Sequence, residues 1–231
     1  KYPLKYYVLD QVKATRKFER HMKTGHLVEG TIVDLRQMYQ YAISTNMQAH
    51  EAFYGKILYT TPEAQDAKTV FLKAYQPQPL RLSIQGKLYG YTKKKMLKNK
   101  SKESKTTTYK LAMESVYLAV QIRYINMYHL NPPPLALPEL MSALYDGNGE
   151  KELPPPQFVQ ALKEQRMHDR EAEYTMTEEF QNFVETTLQS VEVTKVSTCS
   201  TSRRMELKQL AERQFLMAVG ATELDTSSHQ E

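Results

Sequence analysis

Residues 108–129 read TYKLAMESVYLAVQIRYINMYH and form the most apolar stretch of the chain. On a helix drawn through this stretch, Lys110, Glu114 and Gln121 fall on one narrow seam, and most other positions are apolar. A helix that is apolar nearly all round is typical of a protein core. Insertion into a membrane is not expected, because Glu114 and Arg123 are among the polar residues that interrupt a span of only about twenty residues. The stretch therefore predicts a buried helix around which the rest of the chain is organised.

The sequence that leads into this helix is strongly basic. Residues 81–110 contain ten Lys or Arg and a single acid, Glu103. Lysines placed near phosphates release condensed counterions, which gives a salt-sensitive affinity for nucleic acid of any sequence. Tyr89, Tyr91 and Tyr109 flank the lysines and can stack on unpaired bases, at about 1–3 kcal/mol for each stacked base. The excess of Lys over Arg favours contact with the RNA backbone over the reading of bases.

Two other interpretations of this basic segment stay open. The segment can be a solvated flexible loop. Alternatively, its three consecutive lysines at residues 93–95 can imitate a nuclear-import signal. We favour RNA contact over the solvated loop. A second basic group lies near the N-terminus, on a predicted helix. The predicted RNA-binding residues are Arg16, Lys17, Arg20, Lys23, Arg81, Lys87, Tyr89, Tyr91, Lys93, Lys94, Lys95, Lys98, Lys100, Lys102 and Lys105.

The charge of the chain is unevenly distributed. The net charge is +5, but residues 1–110 carry 21 Lys or Arg against 8 Asp or Glu, a net +13. Residues 111–231 carry 10 against 18, a net −8. Such a distribution favours a bridging protein, with its basic half on nucleic acid and its acidic half on protein neighbours or solvent. The single cysteine, Cys199, excludes an internal disulfide and favours a reducing compartment, either the cytosol or the mitochondrial matrix. The lysine at position 1 indicates either an unobserved N-terminus or a removed leader.

No pattern in the sequence predicts catalysis. The six histidines do not form a paired metal-binding signature, and no glycine-rich phosphate loop or nucleophile elbow occurs. The acidic turn at residues 146–150 lacks the glycine and glutamate that an EF-hand loop needs at its sixth and twelfth positions. The sequence therefore predicts no enzyme activity, no cofactor, no metal site and no small-molecule substrate.

The predicted fold class is mainly α, an irregular helical assembly with a short β-hairpin and an extended basic arm. The helix at residues 6–23 ends at Gly25 as its left-handed cap, and the hairpin occupies residues 80–91, where apolar and polar side chains alternate. Further helices are predicted from residue 31, then at 47–59, 62–75, 108–129, 138–145, 157–190 and 203–219. The predicted divisions are an N-terminal basic helical region (1–75), an extended or hairpin basic arm (76–110), a core helix with a short helix (111–150) and an acidic long-helix C-terminal region (151–231).

Residues 16–29, RKFERHMKTGHLVE, resemble the N-terminus of a mitochondrion-specific protein of the small ribosomal subunit, the family numbered twenty-three in that subunit. The similarity rests on Arg16, on Lys23-Thr24-Gly25, and on Leu27 and Glu29. Residues 161–167 and 215–224 are similar to fungal members. Where the family continues with proline and tryptophan, this chain has Thr31-Ile32-Val33 and no tryptophan.

The resemblance implies a non-catalytic component of the mitochondrial ribosome. Such a protein lies in the mitochondrial matrix, wedged between rRNA and neighbouring ribosomal proteins. The alternative is an accessory subunit of a respiratory-chain or ATP synthase complex, which is also helical, tyrosine-rich and free of chemistry of its own. A third, weaker alternative is an enzyme whose site the sequence patterns do not reveal.

Overall fold

The computed structural model describes residues 15–23, 25, 27–55, 61–92, 106–128, 131–146, 153–154, 156–169, 171–190 and 201–218. Over these residues the protein is mainly helical, as predicted, with nine helices and two small antiparallel sheets of two strands each. The chain divides into two compact units. Unit 1 comprises residues 1–75 and 198–231, and unit 2 comprises residues 76–197.

Unit 1 contains two strands and four helices within the described residues. They are β1 (Thr15–His21), β2 (Leu27–Val33), α1 (Leu35–Ile43), α2 (Met47–Tyr54), α3 (Pro62–Ala74) and α9 (Thr201–Ala218). Asp34, Asn46 and Thr61 precede α1, α2 and α3, and each side-chain oxygen accepts a hydrogen bond from a backbone N–H of the first turn. The predicted start of a helix at Thr61-Pro62 is therefore confirmed, and the helices predicted from residues 47 and 203 are confirmed as α2 and α9. The helix predicted from residue 31 begins only at Leu35, because residues 31–33 belong to β2.

The predicted helix at residues 6–23 is wrong over its described residues. Thr15–His21 is a strand that pairs antiparallel with Leu27–Val33, in a register that runs from Thr15 opposite Val33 to His21 opposite Leu27. Gly25 has a positive φ of 82°, as predicted, but it forms the turn of this hairpin instead of capping a helix. The N–H of Gly25 donates to the carbonyl of Met22 at 2.9 Å. The partner strand contains Thr31, Ile32 and Val33, β-branched residues that favour strands.

The core of unit 1 forms where α1, α3 and α9 pack together. Tyr39 from α1, Phe71 from α3 and Ala211 from α9 are fully enclosed in one cluster. The Tyr39 ring meets the Phe215 ring edge-on with centroids 6.4 Å apart, and the rings of Phe53 and Phe71 lie 5.7 Å apart. α9 therefore completes a core that begins far earlier in the sequence.

We expect Tyr39→Phe to leave the neutral-pH stability unchanged or to raise it by up to about 1 kcal/mol. The Tyr39 side chain is fully buried, and its hydroxyl has no hydrogen-bond partner among the described residues. Burial first, then the carboxylates of Asp66 and Glu63, raise the pKa of Tyr39 from 10.0 to about 12. The unfolded chain ionises this phenol near its ordinary pKa, so the stability that the neutral phenol contributes is present below pH 10 and is lost as the pH rises toward 12.

Urea unfolding at pH 8, 10 and 11 tests this prediction. The wild type should lose stability above pH 10, and Tyr39→Phe should lose less. Tyr41→Phe removes a hydroxyl from a half-buried tyrosine of the same helix and is the matched control. If the stability of the wild type and that of Tyr39→Phe fell equally with rising pH, the raised pKa of Tyr39 would be contradicted.

Unit 2 is built around one long helix. Its described elements are α4 (Pro77–Tyr91), β3 (Thr106–Thr108), α5 (Tyr109–Met127), α6 (Leu137–Asp146), α7 (Pro156–His168), β4 (Glu173–Thr175) and α8 (Glu178–Gln189). α5 packs against α4, α6, α7 and α8. Ten of its residues are buried, which confirms the buried helix predicted from residues 108–129. The Tyr117 hydroxyl donates to the Leu135 carbonyl at 3.1 Å, and the Tyr128 hydroxyl donates to the Ala143 carbonyl at 2.8 Å, so both phenols hold the chain that follows α5 against it.

The hairpin predicted at residues 80–91 is wrong, because these residues lie in α4. Leu80, Ile84 and Leu88 are fully buried, and their spacing of four residues places them on one face of a helix. The same three residues also satisfy an alternation of period two, which is why the pattern was ambiguous. The two prolines of this region lie in the first turn of α4, where a backbone N–H is not needed.

The single long helix predicted at residues 157–190 is also wrong. Two helices, α7 and α8, occupy this region and are separated by β4. β4 pairs antiparallel with β3, with Thr107 opposite Tyr174. The Thr177 hydroxyl accepts a hydrogen bond from the N–H of Phe180 at 3.2 Å and begins α8. The helices predicted at 138–145 and 108–129 are confirmed as α6 and α5.

Candidate nucleic-acid interface

α4 and α5 pack along each other in opposite directions. Near the start of α4, Nη1 of Arg81 donates to Oδ1 of Asn126, near the end of α5, at 2.7 Å. The last turn of α4 and the first turn of α5 therefore lie at the same end of unit 2. We call residues 93–105 the lysine-rich segment, and they lie outside the described residues. This segment leaves the described fold after α4 and rejoins it at β3, at one end of the α4–α5 pair.

The chain is firmly fixed where it returns from the lysine-rich segment. The three residues of β3 pair with β4, and the N–H of Tyr109 donates to the Ala172 carbonyl at 3.2 Å. The rings of Tyr109 and Tyr174 lie 5.1 Å apart. Lys110 Nζ lies 3.8 Å from a carboxylate oxygen of Glu171, an ion pair on the surface that contributes little stability. These contacts determine where residue 106 stands, and hence where the lysine-rich segment ends.

Three predicted RNA-binding residues lie on the last turns of α4, beside the start of the lysine-rich segment. Tyr89 has 49% of its surface exposed, and Lys87 and Tyr91 are half-buried. Lys87 and Tyr91 are four residues apart and share one face of the helix. Tyr89 is therefore the predicted aromatic side chain most accessible to a base.

Arg81 does not belong to this surface. Its side chain is buried, with 8% of its surface exposed, and it bonds to Asn126 within unit 2. Burial lowers the pKa of Arg81 from its ordinary value. We therefore leave Arg81 out of the candidate interface. Arg81 and Leu80 are both among the buried residues of α4. The prediction of a hairpin at residues 80–91 did not indicate that Arg81 is buried.

The N-terminal basic group lies on a strand and its turn, within unit 1. Arg16, Lys17 and Arg20 lie on β1. Arg20 and Lys23 are exposed. The seven remaining predicted residues, Lys93, Lys94, Lys95, Lys98, Lys100, Lys102 and Lys105, lie in the lysine-rich segment and thus outside the described residues.

The described side chains do not assemble a metal site. Within the ranges that the structure covers, no group of three or more His, Cys, Asp or Glu lies close enough to hold a metal ion. His50, fully buried in unit 1, packs among aromatic rings, with its centroid 5.3 Å from that of Tyr54 and 6.5 Å from that of Phe71. Among the described helices, none combines the length and the apolar character needed to cross a membrane.

Sequence reasoning did not single out one further polar residue, Arg123, which lines a cleft of unit 2. In the sequence, Arg123 is one of the polar residues that interrupt an apolar stretch. Its contacts with α8 depend on packing between distant helices, so no local signal could have found them.

Comparison with protein-family models, with curated proteins and with solved structures found no match to this chain.

Proposed function

We propose that this protein is a non-catalytic structural component of the small subunit of the mitochondrial ribosome, located in the mitochondrial matrix. In this proposal the lysine-rich segment and the end of α4 contact the backbone of rRNA, and the helices contact neighbouring ribosomal proteins. The observation that carries the RNA-binding part is that the lysine-rich segment starts and ends at one end of the α4–α5 pair, next to the exposed ring of Tyr89.

The charge of this region supports contact with phosphates. Of the ten Lys or Arg in residues 81–110, Arg81 is buried and Lys110 pairs with Glu171. Seven of the others lie in the lysine-rich segment, where the sequence has one acid, Glu103. Each phosphate that a lysine neutralises contributes about −0.7 to the slope of log affinity against log salt for single strands and about −0.9 for duplex DNA. A strongly salt-dependent affinity that varies little with RNA sequence is the expected signature.

Anchoring both ends of the lysine-rich segment supports the proposal further. The β3–β4 pairing fixes one end, and α4, packed on α5, fixes the other. Holding the ends lowers the conformational entropy that the segment would lose on lying along a nucleic acid. The net charge of −8 over residues 111–231 supports a complementary role for the second half of the chain, in contact with basic ribosomal proteins.

We expect a variant with five substitutions to bind RNA about 100-fold or more weakly than the wild type at 50 mM salt. The five residues changed to Gln are Lys93, Lys94, Lys95, Lys98 and Lys100. The salt slope should become shallower by about 3 to 4, because about five phosphate contacts are lost. Fluorescence anisotropy with a labelled RNA hairpin and a labelled single strand measures both quantities.

The matched control for this variant removes five lysines elsewhere, with Lys1, Lys5, Lys73, Lys163 and Lys208 changed to Gln. Its net charge is the same, so a general charge effect would weaken binding equally in both variants. Equal losses, or an unchanged salt slope in the first variant, would show that the lysine-rich segment is not the RNA contact.

We expect Tyr89→Ala to weaken the binding of single-stranded RNA by about 5- to 150-fold, the equivalent of about 1–3 kcal/mol for one stacked base. Tyr89→Phe keeps the ring and should bind as the wild type does. The affinity for an RNA duplex, whose bases are already stacked, should change little in either variant. Equal affinities of Tyr89→Ala and Tyr89→Phe for the single strand would contradict a stacking role.

The ribosomal part of the proposal is tested in mitochondria. After gentle lysis, the protein should sediment with the small ribosomal subunit and should shift position when RNase digests the RNA. Ultraviolet cross-linking should recover rRNA with the protein, and the yield of cross-linked rRNA should fall in the variant with five Lys→Gln substitutions. If the protein instead migrates with membrane complexes and is unaffected by RNase, it is an accessory subunit of such a complex.

A further inference from the structure

A cavity of about 490 Å³ lies within unit 2, where α5, α6 and α7 meet. Its apolar lining includes one residue from each of these helices, Met113, Leu137 and Met167. Met113 and Leu137 are buried, whereas the Met167 side chain is largely exposed. A concave, mainly apolar pocket of about 300–1,000 Å³ is the usual form of a small-molecule site in proteins. Methionine side chains suit such a site because they are flexible and adapt to the shape of a ligand.

Two side chains of opposite charge border the same cavity, Glu114 from α5 and Lys163 from α7. Both are half-buried. Among the residues that the structure describes, neither side chain has an ion-pair or hydrogen-bond partner. Lys110, one turn before Glu114 on α5, pairs with Glu171 instead. The cavity therefore presents one negative and one positive group that the described part of the fold leaves without a countercharge.

A bound molecule that carries both an ammonium and a carboxylate supplies the two missing countercharges at once. Hydrogen bonds in which a partner is ionised are about twice as strong as those between neutral groups, and they strengthen further where water is partly excluded. A simple carboxylate would leave Glu114 without a partner, and a simple amine would leave Lys163 without one. The lining thus favours a zwitterion with an uncharged apolar body.

We propose that this cavity binds a free α-amino acid with an aliphatic or thioether side chain. Its ammonium contacts Glu114, its carboxylate contacts Lys163, and its side chain packs against the apolar lining. Lys163 and Met167 are four residues apart and share one face of α7, so this helix offers a cation and an apolar surface together. The inference does not depend on the proposed RNA-binding function, since it rests only on residues of α5, α6 and α7.

Isothermal titration calorimetry on the full-length chain tests the charge requirement with four ligands. L-methionine should bind with a dissociation constant below about 1 mM. N-acetyl-L-methionine has no ammonium and L-methioninamide has no carboxylate, so each should bind at least about tenfold more weakly because one charged side chain is left unpaired. Glycine keeps both charges without the apolar body and should also bind at least about tenfold more weakly.

Two variants assign the charges to their ligand groups. Glu114→Gln should weaken L-methionine binding at least about tenfold and leave N-acetyl-L-methionine binding unchanged, because that ligand has no ammonium to lose. Lys163→Gln should weaken L-methionine binding by a similar factor and leave L-methioninamide binding unchanged. Glu185→Gln and Lys73→Gln, which remove exposed charges of α8 and α3, are the matched controls and should bind L-methionine as the wild type does.

Thermal unfolding of each variant separates lost binding from lost folding. Equal affinities of the wild type for L-methionine, its N-acetyl form and its amide would overturn the proposal, as would the absence of binding below about 1 mM. A dipeptide of methionine that binds more tightly than L-methionine would overturn the assignment of a single amino acid. If Glu114→Gln weakened the binding of L-methionine and of N-acetyl-L-methionine equally, Glu114 would not contact the ammonium, and the proposed site would be wrong.

Discussion

Ala211→Asp is expected to unfold unit 1 at room temperature. Ala211 lies on α9 and is fully buried in the cluster that contains Tyr39 and Phe71. A carboxylate at this position would be enclosed by aromatic and aliphatic side chains, and an isolated charge in such surroundings costs several kcal/mol or displaces the helix that carries it. Domains of this size have a free energy of unfolding of about 5–15 kcal/mol, so one such substitution can remove most of it. α9 packs against both α1 and α3, and its displacement would expose the core of the unit.

Hydrogen exchange resolved by peptide measures this effect. In Ala211→Asp, the amides of α1, α3 and α9 should lose their protection together. Ala52→Asp introduces the same carboxylate at an exposed position of α2 and serves as the matched control, with an expected cost below about 1 kcal/mol. If Ala211→Asp kept wild-type protection in α1 and α3, α9 would not be part of the core of unit 1.

The helices that could be predicted from the sequence are those whose signals are local. Thr61-Pro62 marks the start of α3 by a hydroxyl cap and a proline, and both act within the first turn. The apolar content of residues 108–129 predicted the burial of α5, because a helix that is apolar nearly all round is typical of a protein core. In these places the local pattern and the tertiary structure agree.

The errors fall where distant parts of the chain decide the conformation. Residues 15–21 carry a basic amphipathic pattern, but their pairing with residues 27–33 makes them a strand. Residues 173–175 interrupt a stretch with helical periodicity because they pair with β3, more than sixty residues earlier. At residues 80–91, the spacing of the apolar side chains fits both the two-residue period of a strand and the four-residue spacing along one face of a helix. Packing against α5 selects the helix. Strand pairing and helix packing of this kind leave little trace in a short window of sequence.

The candidate sites show the same division. The lysine-rich segment could be found from charge alone, because the sequence records every charge. The burial of Arg81 and the orientation of Arg123 could not be found, because each depends on a side chain of another helix, Asn126 in the first case and Thr187 in the second. Within α5, Arg123 and Asn126 occur among apolar residues, and the sequence does not distinguish an exposed arginine from one that borders a cleft.

Ala119→Asp is expected to have a comparably large effect in unit 2. Ala119 is fully buried in the middle of α5, the helix against which α4, α6, α7 and α8 pack. A carboxylate there would be enclosed among apolar side chains, at a cost of several kcal/mol. Ala161→Asp, at an exposed position of α7, makes the same chemical change and should cost less than about 1 kcal/mol. Circular dichroism and peptide-resolved hydrogen exchange should show loss of α5 and its neighbours only in Ala119→Asp.

The same pair of variants separates two ways in which the lysine-rich segment can bind RNA. Neither variant alters a lysine, so an affinity that depends on charge alone would be the same in both. If the segment depends on the anchors supplied by α4 and β3, Ala119→Asp should weaken RNA binding at 150 mM salt by about tenfold or more, because the unfolded chain loses more conformational freedom on binding. Ala161→Asp should bind as the wild type does. If Ala119→Asp bound RNA with unchanged affinity, the affinity would depend on the lysine charges alone. α5 would then support the fold of unit 2 without contributing to RNA binding.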